Sequence, residues 1–436
     1  MAKYSVGTIV PAVDEEPSSV FTAGLRMQKF EGAAIPMFPS HDGLKYAVGN
    51  PHDFSGRPLR IFAPEVRSFV SRLSEQLMAD QDARKWADVV SFAWWCRKAN
   101  IERLASVYDD GILRLGRGVA FHITPNNIPV NFAFSWIFSL LAGNANLVRL
   151  PDFAFPQLVI ILRHVKNLLA EKPYRELAAM NIFLTYGREE QITLDLSAMA
   201  DVRIIWGGDA TIRTIRTSPL PPRAIDIGFS DRYSFSILGA GRVLALGKSD
   251  FPRLIAGFFN DTYLMDQNAC SSPRLVIWHG GSGEAVEAQE RFWNALGQEV
   301  VSRYELAPIS AVDKFTQVCR DAIELEFLNG FHHFDNRIFR LQLRAVFPGI
   351  EKRRGNCGYF YEYITDNLDD LAPIINNKYQ TLTYFGVSKE LFTSFILRNR
   401  ITGIDRIVPV GSAMDIGLIW DGYDLIRSFS RVCNVC

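Results

Sequence analysis

At 436 residues the chain has room for two or three domains of roughly 150 residues each. Its composition, 48% hydrophobic and 22% charged, is that of an ordinary globular protein and excludes a disordered or fibrous chain. Lysine plus arginine and aspartate plus glutamate both number 47, so there is no basic excess for a nucleic-acid or membrane-surface binder. The longest apolar stretch, 132–142, is broken by Gly143 and Asn144, short of the ~20 residues a bilayer needs. Residues 1–16 lack the charged start and long apolar run of a secretion signal. Cys96, Cys270, Cys319, Cys357, Cys433 and Cys436 are too sparse for a disulfide framework, so reduced thiols and a cytoplasmic location are expected.

In chain order, residues 1–60 are rich in turn-formers and predict an irregular arm. Residues 64–105 read as helical: Phe69, Leu73 and Leu77 recur at spacing four behind Pro64. Residues 112–123 read as one or two strands broken at 116–118, and 132–142 as an apolar helix. Strands are expected at 145–150, 181–186, 202–206 and 233–238, with helices at 156–171, 189–200 and 208–217 between them. This alternation predicts βαβ units and a mostly parallel sheet. A second α/β block has a helix at 250–262, a strand at 274–278 and a helix at 284–301. Mixed elements follow to 397, among them a strand at 358–364 and a helix at 368–376. The expected division is an arm over 1–60, a nucleotide-binding α/β unit over 61–240 with a strand or hairpin near 111–123, a catalytic α/β unit over 241–410, and a tail over 411–436.

Two phosphate-loop lookalikes fail. Gly239-Ala240-Gly241 lacks its third glycine, since Leu244 stands there, and Gly247-Lys248-Ser249 has Arg242 where the opening glycine belongs and a strand-like run at 243–246. Trp206-Gly207-Gly208 ends a strand and opens a helix, a geometry that can hold a pyrophosphate or serve as a plain turn. No metal site is expected: His332 and His333 are adjacent, and Cys433 and Cys436 have no second pair. A serine-hydrolase elbow is absent, because Gly280-Gly281-Ser282-Gly283 runs into Glu284.

Cys270 lies in a polar, turn-like run before an apolar strand, with Arg274 near enough to favour a thiolate; Cys96, after two tryptophans, suits a buried role. Upstream, Thr124-Pro125-Asn126-Asn127-Ile128-Pro129 ends a strand between two prolines, either an Asn-Pro turn or a rigid amide donor for an oxyanion.

The order of these motifs, with Ala142-Gly143-Asn144 and Arg149 between them, resembles the aldehyde dehydrogenase superfamily. Within it, the chain is similar to the LuxC-type fatty acyl-CoA reductases, as the tail motifs Asp405-Arg406-Ile407-Val408-Pro409-Val410-Gly411 and Trp420-Asp421-Gly422-Tyr423-Asp424 are. The resemblance covers 91–431. It implies a Rossmann-like nucleotide-binding domain, an α/β catalytic domain and a small oligomerisation element or arm. By position, Cys270 matches the nucleophile, Asn127 the oxyanion asparagine, Arg149 a lysine on the adenosine ribose, and Gly207 and Gly208, after Trp206, the pyrophosphate turn. Where hydrolytic relatives carry a glutamate, Gly228-Phe229-Ser230-Asp231-Arg232 has none, which favours the reductive direction. The later ribose-binding glutamate matches Arg354, with Glu351 nearby.

The family implies NADPH. Asp152 would repel a 2′-phosphate and suits the 2′-hydroxyl of NADH, unless Arg203, Arg213 and Arg216 form a compensating cluster rather than a solvated helix face. The expected activity is reduction of a long-chain fatty acyl-CoA or acyl-protein to the aldehyde through a Cys270 thioester. An acyl-protein synthetase partner, a homo-oligomer and no nucleic acid complete the expectation. The rivals are a non-reducing acyl carrier on Cys270 and a degenerate scaffold subunit with an inert cysteine.

Overall fold

A computed structural model describes residues 38–39, 41–152 and 155–435; most of the expected arm, and Cys436, lie outside the described residues. From what is described of the arm, β1 (Lys45–Val48) joins the first sheet. The stretch 64–105 forms three helices, α1 (Pro64–Ala79), α2 (Ala87–Trp95) and α3 (Lys98–Val107). Pro64 occupies the first turn of α1, where its missing N–H costs nothing, and Val66, Phe69, Val70, Leu73 and Leu77 form its buried stripe.

The alternating stretch follows as β2 (Arg114–Gly116), β3 (Val119–Ile123), α4 (Asn131–Leu141), β4 (Ala145–Arg149), α5 (Pro156–Leu169), α6 (Arg175–Ala179), β5 (Asn181–Thr185), α7 (Glu190–Ala198), β6 (Val202–Trp206), α8 (Asp209–Arg216) and β7 (Ile225–Phe229). A six-stranded sheet runs β1-β5-β4-β3-β6-β7, with only β1 antiparallel. Strands leave β3 toward β5 on one side and toward β7 on the other. The order therefore reverses between β3 and β6, and the crevice at their carboxyl ends is where open α/β sheets bind ligands.

The second sheet collects β8 (Tyr233–Gly239), β9 (Pro273–His279), β10 (Leu328–Phe334), β11 (Ile338–Leu343), β12 (Tyr359–Thr365), β13 (Tyr379–Phe385) and β14 (Arg406–Pro409) in the order β10-β11-β12-β9-β8-β13-β14. Helices α9 (Ala240–Leu244), α10 (Phe251–Tyr263), α11 (Ser282–Arg303), α12 (Pro308–Glu324) and α13 (Lys389–Asn399) connect these strands. β8 precedes residue 240 but is hydrogen-bonded in this sheet, so the chain crosses between units at residues 230–232. The tail returns through β15 (Ile419–Trp420), β16 (Tyr423–Asp424) and α14 (Leu425–Phe429) to β17 (Ser430–Val432), which pairs with β2.

Two expected elements differ. The apolar run 243–246 ends the short helix α9 instead of forming a strand. The helix expected at 368–376 is a single 3-10 turn, Leu368–Leu371, because Pro373 lacks the N–H the next turn needs.

Candidate active site

Cys270 is half-buried on the loop between α10 and β9, at the amino ends of β8 and β9. Asp266 and Gln267 take left-handed φ values of +50° and +59°, a conformation that needs support from its surroundings. Gln267 supplies that support. Fully buried, it accepts the N–H groups of Gly358 and Tyr359 on Oε1, both at 3.0 Å, and donates from Nε2 to Pro273 O at 2.9 Å and Tyr359 O at 3.1 Å. Ser234 Oγ donates to the Cys270 carbonyl at 2.6 Å and accepts the Thr381 N–H at 3.1 Å.

Burial pushes the Cys270 thiol up, the nearby Arg232 main chain opposes this, Asp231 and Asp421 push it further up, and Arg274 pulls it down. The expected thiolate-favouring role of Arg274 is therefore overridden. Its guanidinium donates to the carbonyls of Gln267, Ala269 and Ser272, bracing the loop instead. Asp231 is paired with Arg354.

At the carboxyl end of β3, Asn127 is exposed on the turn and makes no side-chain hydrogen bond among the described residues, whereas Asn126 donates to Asp152 at 3.0 Å. Arg149 is engaged: it donates to the carbonyls of Tyr186 and Gly187 at 3.2 and 3.0 Å, stacks over the Tyr186 ring, and lies 4.0 Å from Asp152. At the carboxyl end of β6, Trp206 stacks on Phe229 at 3.9 Å, and Gly207 N–H bonds Phe229 O. Gly208 caps α8 without a side-chain cap, and a Cβ there would meet open space. Asp209, next along, is held below the usual carboxylate range by its bond from Lys378. Of the expected arginine cluster, Arg203 is buried and paired with Asp226, which also takes Arg216, so Arg203 belongs to the core.

Beneath Trp206 runs a buried polar chain that nothing in the sequence pattern marks. Trp136 and Trp206 donate only, so their bonds to Asn181 Oδ1 (2.6 Å) and Ser135 Oγ (3.0 Å) set the direction of the rest. Asn146 Nδ2 then donates to Asn181 Oδ1 (3.0 Å), His122 Nε2–H to Asn146 Oδ1 (3.1 Å), and Ser135 Oγ–H to His122 Nδ1 (2.8 Å). Every bond is satisfied by a neutral imidazole, and burial pushes His122 down to about 4.

A family model described as acyl-CoA reductase (LuxC) matches residues 108–329, a span that holds Asn127, Arg149, Asp152, Trp206, Gly207, Gly208 and Cys270. The chain belongs to the LuxC family. It is 23% identical over 323 residues to long-chain acyl-protein thioester reductase 2 of Photobacterium leiognathi, covering 73% of this chain and 64% of that relative's length. Among solved structures, a NAD-dependent benzaldehyde dehydrogenase from Corynebacterium glutamicum superposes with a TM-score of 0.55 at 15% identity over 84% of each chain. A putative aldehyde dehydrogenase from Burkholderia cenocepacia gives 0.55 at 13% identity, over 86% of this chain and 84% of its own. The fold of this LuxC member is thus aldehyde dehydrogenase-like. Gln267, Ser234, Arg232 and Asp421 are the contributors that sequence reasoning missed, since their partners are close only once both sheets are assembled.

Proposed function

We propose that this LuxC member reduces a long-chain acyl thioester, on coenzyme A or on a protein, to the fatty aldehyde through an acyl thioester on Cys270. The observation that carries this is Cys270 itself, half-buried beside residues 230–232, which join its sheet to the nucleotide-type crevice. The Cys270 sulfur attacks the acyl carbon, and the coenzyme A thiolate leaves and takes up a proton. The Asn127 amide and the Cys270 N–H hold the oxyanion. After reduction Cys270 departs as a thiolate and the aldehyde is released. Hydrolysis of the acyl-enzyme is disfavoured: the acid in the 228–232 stretch is Asp231, whose carboxylate is engaged by Arg354.

A nicotinamide cofactor, when bound, supplies the hydride. The residues fit one. Trp206, Gly207 and Gly208 offer an open turn and uncapped N–H groups at α8 for the pyrophosphate, with Arg149 and Asp152 toward the adenosine ribose. Glu351 Oε2 is buried with no hydrogen-bond partner, a place for a ribose hydroxyl. NADPH is the cofactor that the family resemblance implies. Asp152, near an Arg149 already engaged, supports NADH as the second reading.

A homo-oligomer is part of the proposal, supported by the exposed row Ile309, Val312, Phe315 and Ile323 on α12. Cytoplasmic location and loading by an acyl-protein synthetase belong to it too; among the described residues no helix is long and apolar enough to cross a membrane. The test is aldehyde production from a long-chain acyl-CoA with NADPH or NADH, in the native chain and in Cys270→Ala. Nucleotide-dependent aldehyde that vanishes in the variant supports the reading. Acyl transfer without nucleotide oxidation would make the protein an acyl carrier.

A further inference from the structure

At the amino ends of β3, β6 and β7, a small cavity of about 90 Å³ is lined by Arg117, Asp201, Arg223 and Arg431. It lies at the opposite end of these strands from the nucleotide-type crevice. Five-residue strands put roughly 17 Å between the cavity and the Trp206–Gly208 turn, at ~3.3 Å per residue, so the two are separate places. Residues this far apart in sequence meet because β3, β6 and β7 start side by side and β17 brings the tail back onto β2.

The fold fixes each wall. Asn144 Oδ1 accepts the main-chain N–H groups of Arg117 at 2.7 Å and Gly118 at 3.3 Å. Arg117 Nε donates to Ser428 O at 2.9 Å, and among the described residues its two terminal nitrogens make no hydrogen bond. Arg431 is held by the pairing of its strand, opposite Leu115, and Arg223 is exposed at the rim just before β7. Asp201 Oδ2 accepts the Val119 N–H at 2.8 Å, while its main chain bonds Val119 O and the Ile225 N–H. Gly118, at φ +139°, makes room for that carboxylate, since a Cβ there would run into Asp201 Oδ2.

The charges in this lining do not balance. Among the described residues none of the three guanidiniums forms an ion pair, and the one carboxylate, Asp201, is committed to a main-chain N–H. Three positive charges against one negative leave an excess of two. Burial, and after it the Arg223 charge, disfavour the charged form of Arg117, so gathering these cations costs free energy that a bound anion returns. Guanidinium forks match the oxygens of a phosphate, and the cavity is well below the ~300 Å³ that encloses a whole small molecule.

We propose that this cavity is a phosphate-binding site, separate from the catalytic crevice, that takes one dianionic phosphate group, either free or at the end of a larger molecule that stays outside. Bound there, the phosphate ties the turn before β3, the lead-in to β7 and the returning β17 to one another.

The test is calorimetric titration of the full chain with inorganic phosphate, at constant ionic strength made up with chloride. Saturable binding is expected, weakened about tenfold or more in Arg117→Gln and in Arg431→Gln. The exposed Arg223→Gln weakens it about threefold. Asp201→Asn keeps an acceptor for Val119 and removes the one negative charge, so it tightens binding about threefold. If the arginines served Asp201 instead, that change would bring no gain. No saturable binding overturns the proposal, as does binding that both half-buried arginine variants leave unchanged, or that Asp201→Asn weakens. Should those variants not fold, unchanged binding in Arg223→Gln overturns it, because that side chain makes no hydrogen bond among the described residues whose loss could unfold the chain. Coenzyme A and dephospho-coenzyme A, titrated in the same way, separate the sources. Tighter binding of the form with the 3′-phosphate, lost with these arginines, assigns a carried phosphate; equal binding of the two assigns the free anion, and either result upholds the site. Acyl-enzyme formation on Cys270 is read separately as an adduct and does not depend on the outcome.

Discussion

Replacing Gln267 by leucine keeps side-chain bulk and removes the four hydrogen bonds by which its side chain pins the nucleophile loop, leaving those of Arg274 and Ser234 in place. The N–H groups of Gly358 and Tyr359 lose their shared acceptor, and Pro273 O and Tyr359 O lose a donor, all in a fully buried setting. A stranded buried group costs about 1–3 kcal/mol; carbonyls keep a second lone pair, so the two N–H groups alone set a loss of about 2–6 kcal/mol. In a unit of 150–250 residues that is a fall in melting temperature of at least about 4 °C. The loop should loosen with it and relieve the burial that raises the Cys270 thiol, so alkylation at the Cys270 peptide becomes faster. Thermal unfolding and mass-resolved alkylation on the same preparations measure both effects. A variant that melts within 1 °C or so of the native chain and labels at the native rate would refute the assignment of Gln267 as the brace.

Further outcomes follow from other parts of the site. Asn127→Ala should lower turnover about 10²–10³-fold with nucleotide affinity little changed, measured by steady-state kinetics and nucleotide titration. Asp261, buried and accepting the N–H groups of Gly411 and Ala413, is pushed by burial up to about 7 from 3.8. Its contribution to stability is complete below the ordinary value and is lost as pH rises through about 7. Chemical denaturation of Asp261→Asn against the native chain should therefore show the native chain's advantage shrinking between about pH 4 and 7. His122 runs the other way: lowered from 6.5 to about 4, it contributes stability above the ordinary value that is lost as pH falls through about 4. His122→Gln should thus flatten the acid limb of the unfolding profile; an unchanged limb would mean the imidazole is not held neutral.

The first half of the fold is legible because its strands are buried on both faces and read as mostly apolar runs between amphipathic helices, as β3, β4 and β6 do despite His122, Asn146 and Arg203 within them. β7 is harder to see, since Asp226 sits mid-strand and its charge makes sense only opposite Arg203. The stretch 368–376 carries helix-start signals in Asn367, Asp369 and Asp370 that Pro373 cuts off after one turn. Cys270 and Asn127 stand out locally because polar, turn-forming runs border apolar strands. Arg232 and Asp421 do not, because each gains meaning only from partners that the crossing at 230–232 and the returning tail bring together. The thiol's environment is equally nonlocal: Arg274 is near in sequence, yet burial and two aspartates outweigh it.

The central claim is an acyl-enzyme on Cys270 that is discharged by reduction, and intact mass tests it most directly. The protein is incubated with a long-chain acyl-CoA, and its mass is recorded before and after NADPH or NADH is added. The account predicts one acyl adduct, absent in Cys270→Ala, that disappears with release of aldehyde when one of the two nucleotides is supplied. An adduct that persists with both nucleotides, or no adduct at all, would contradict it.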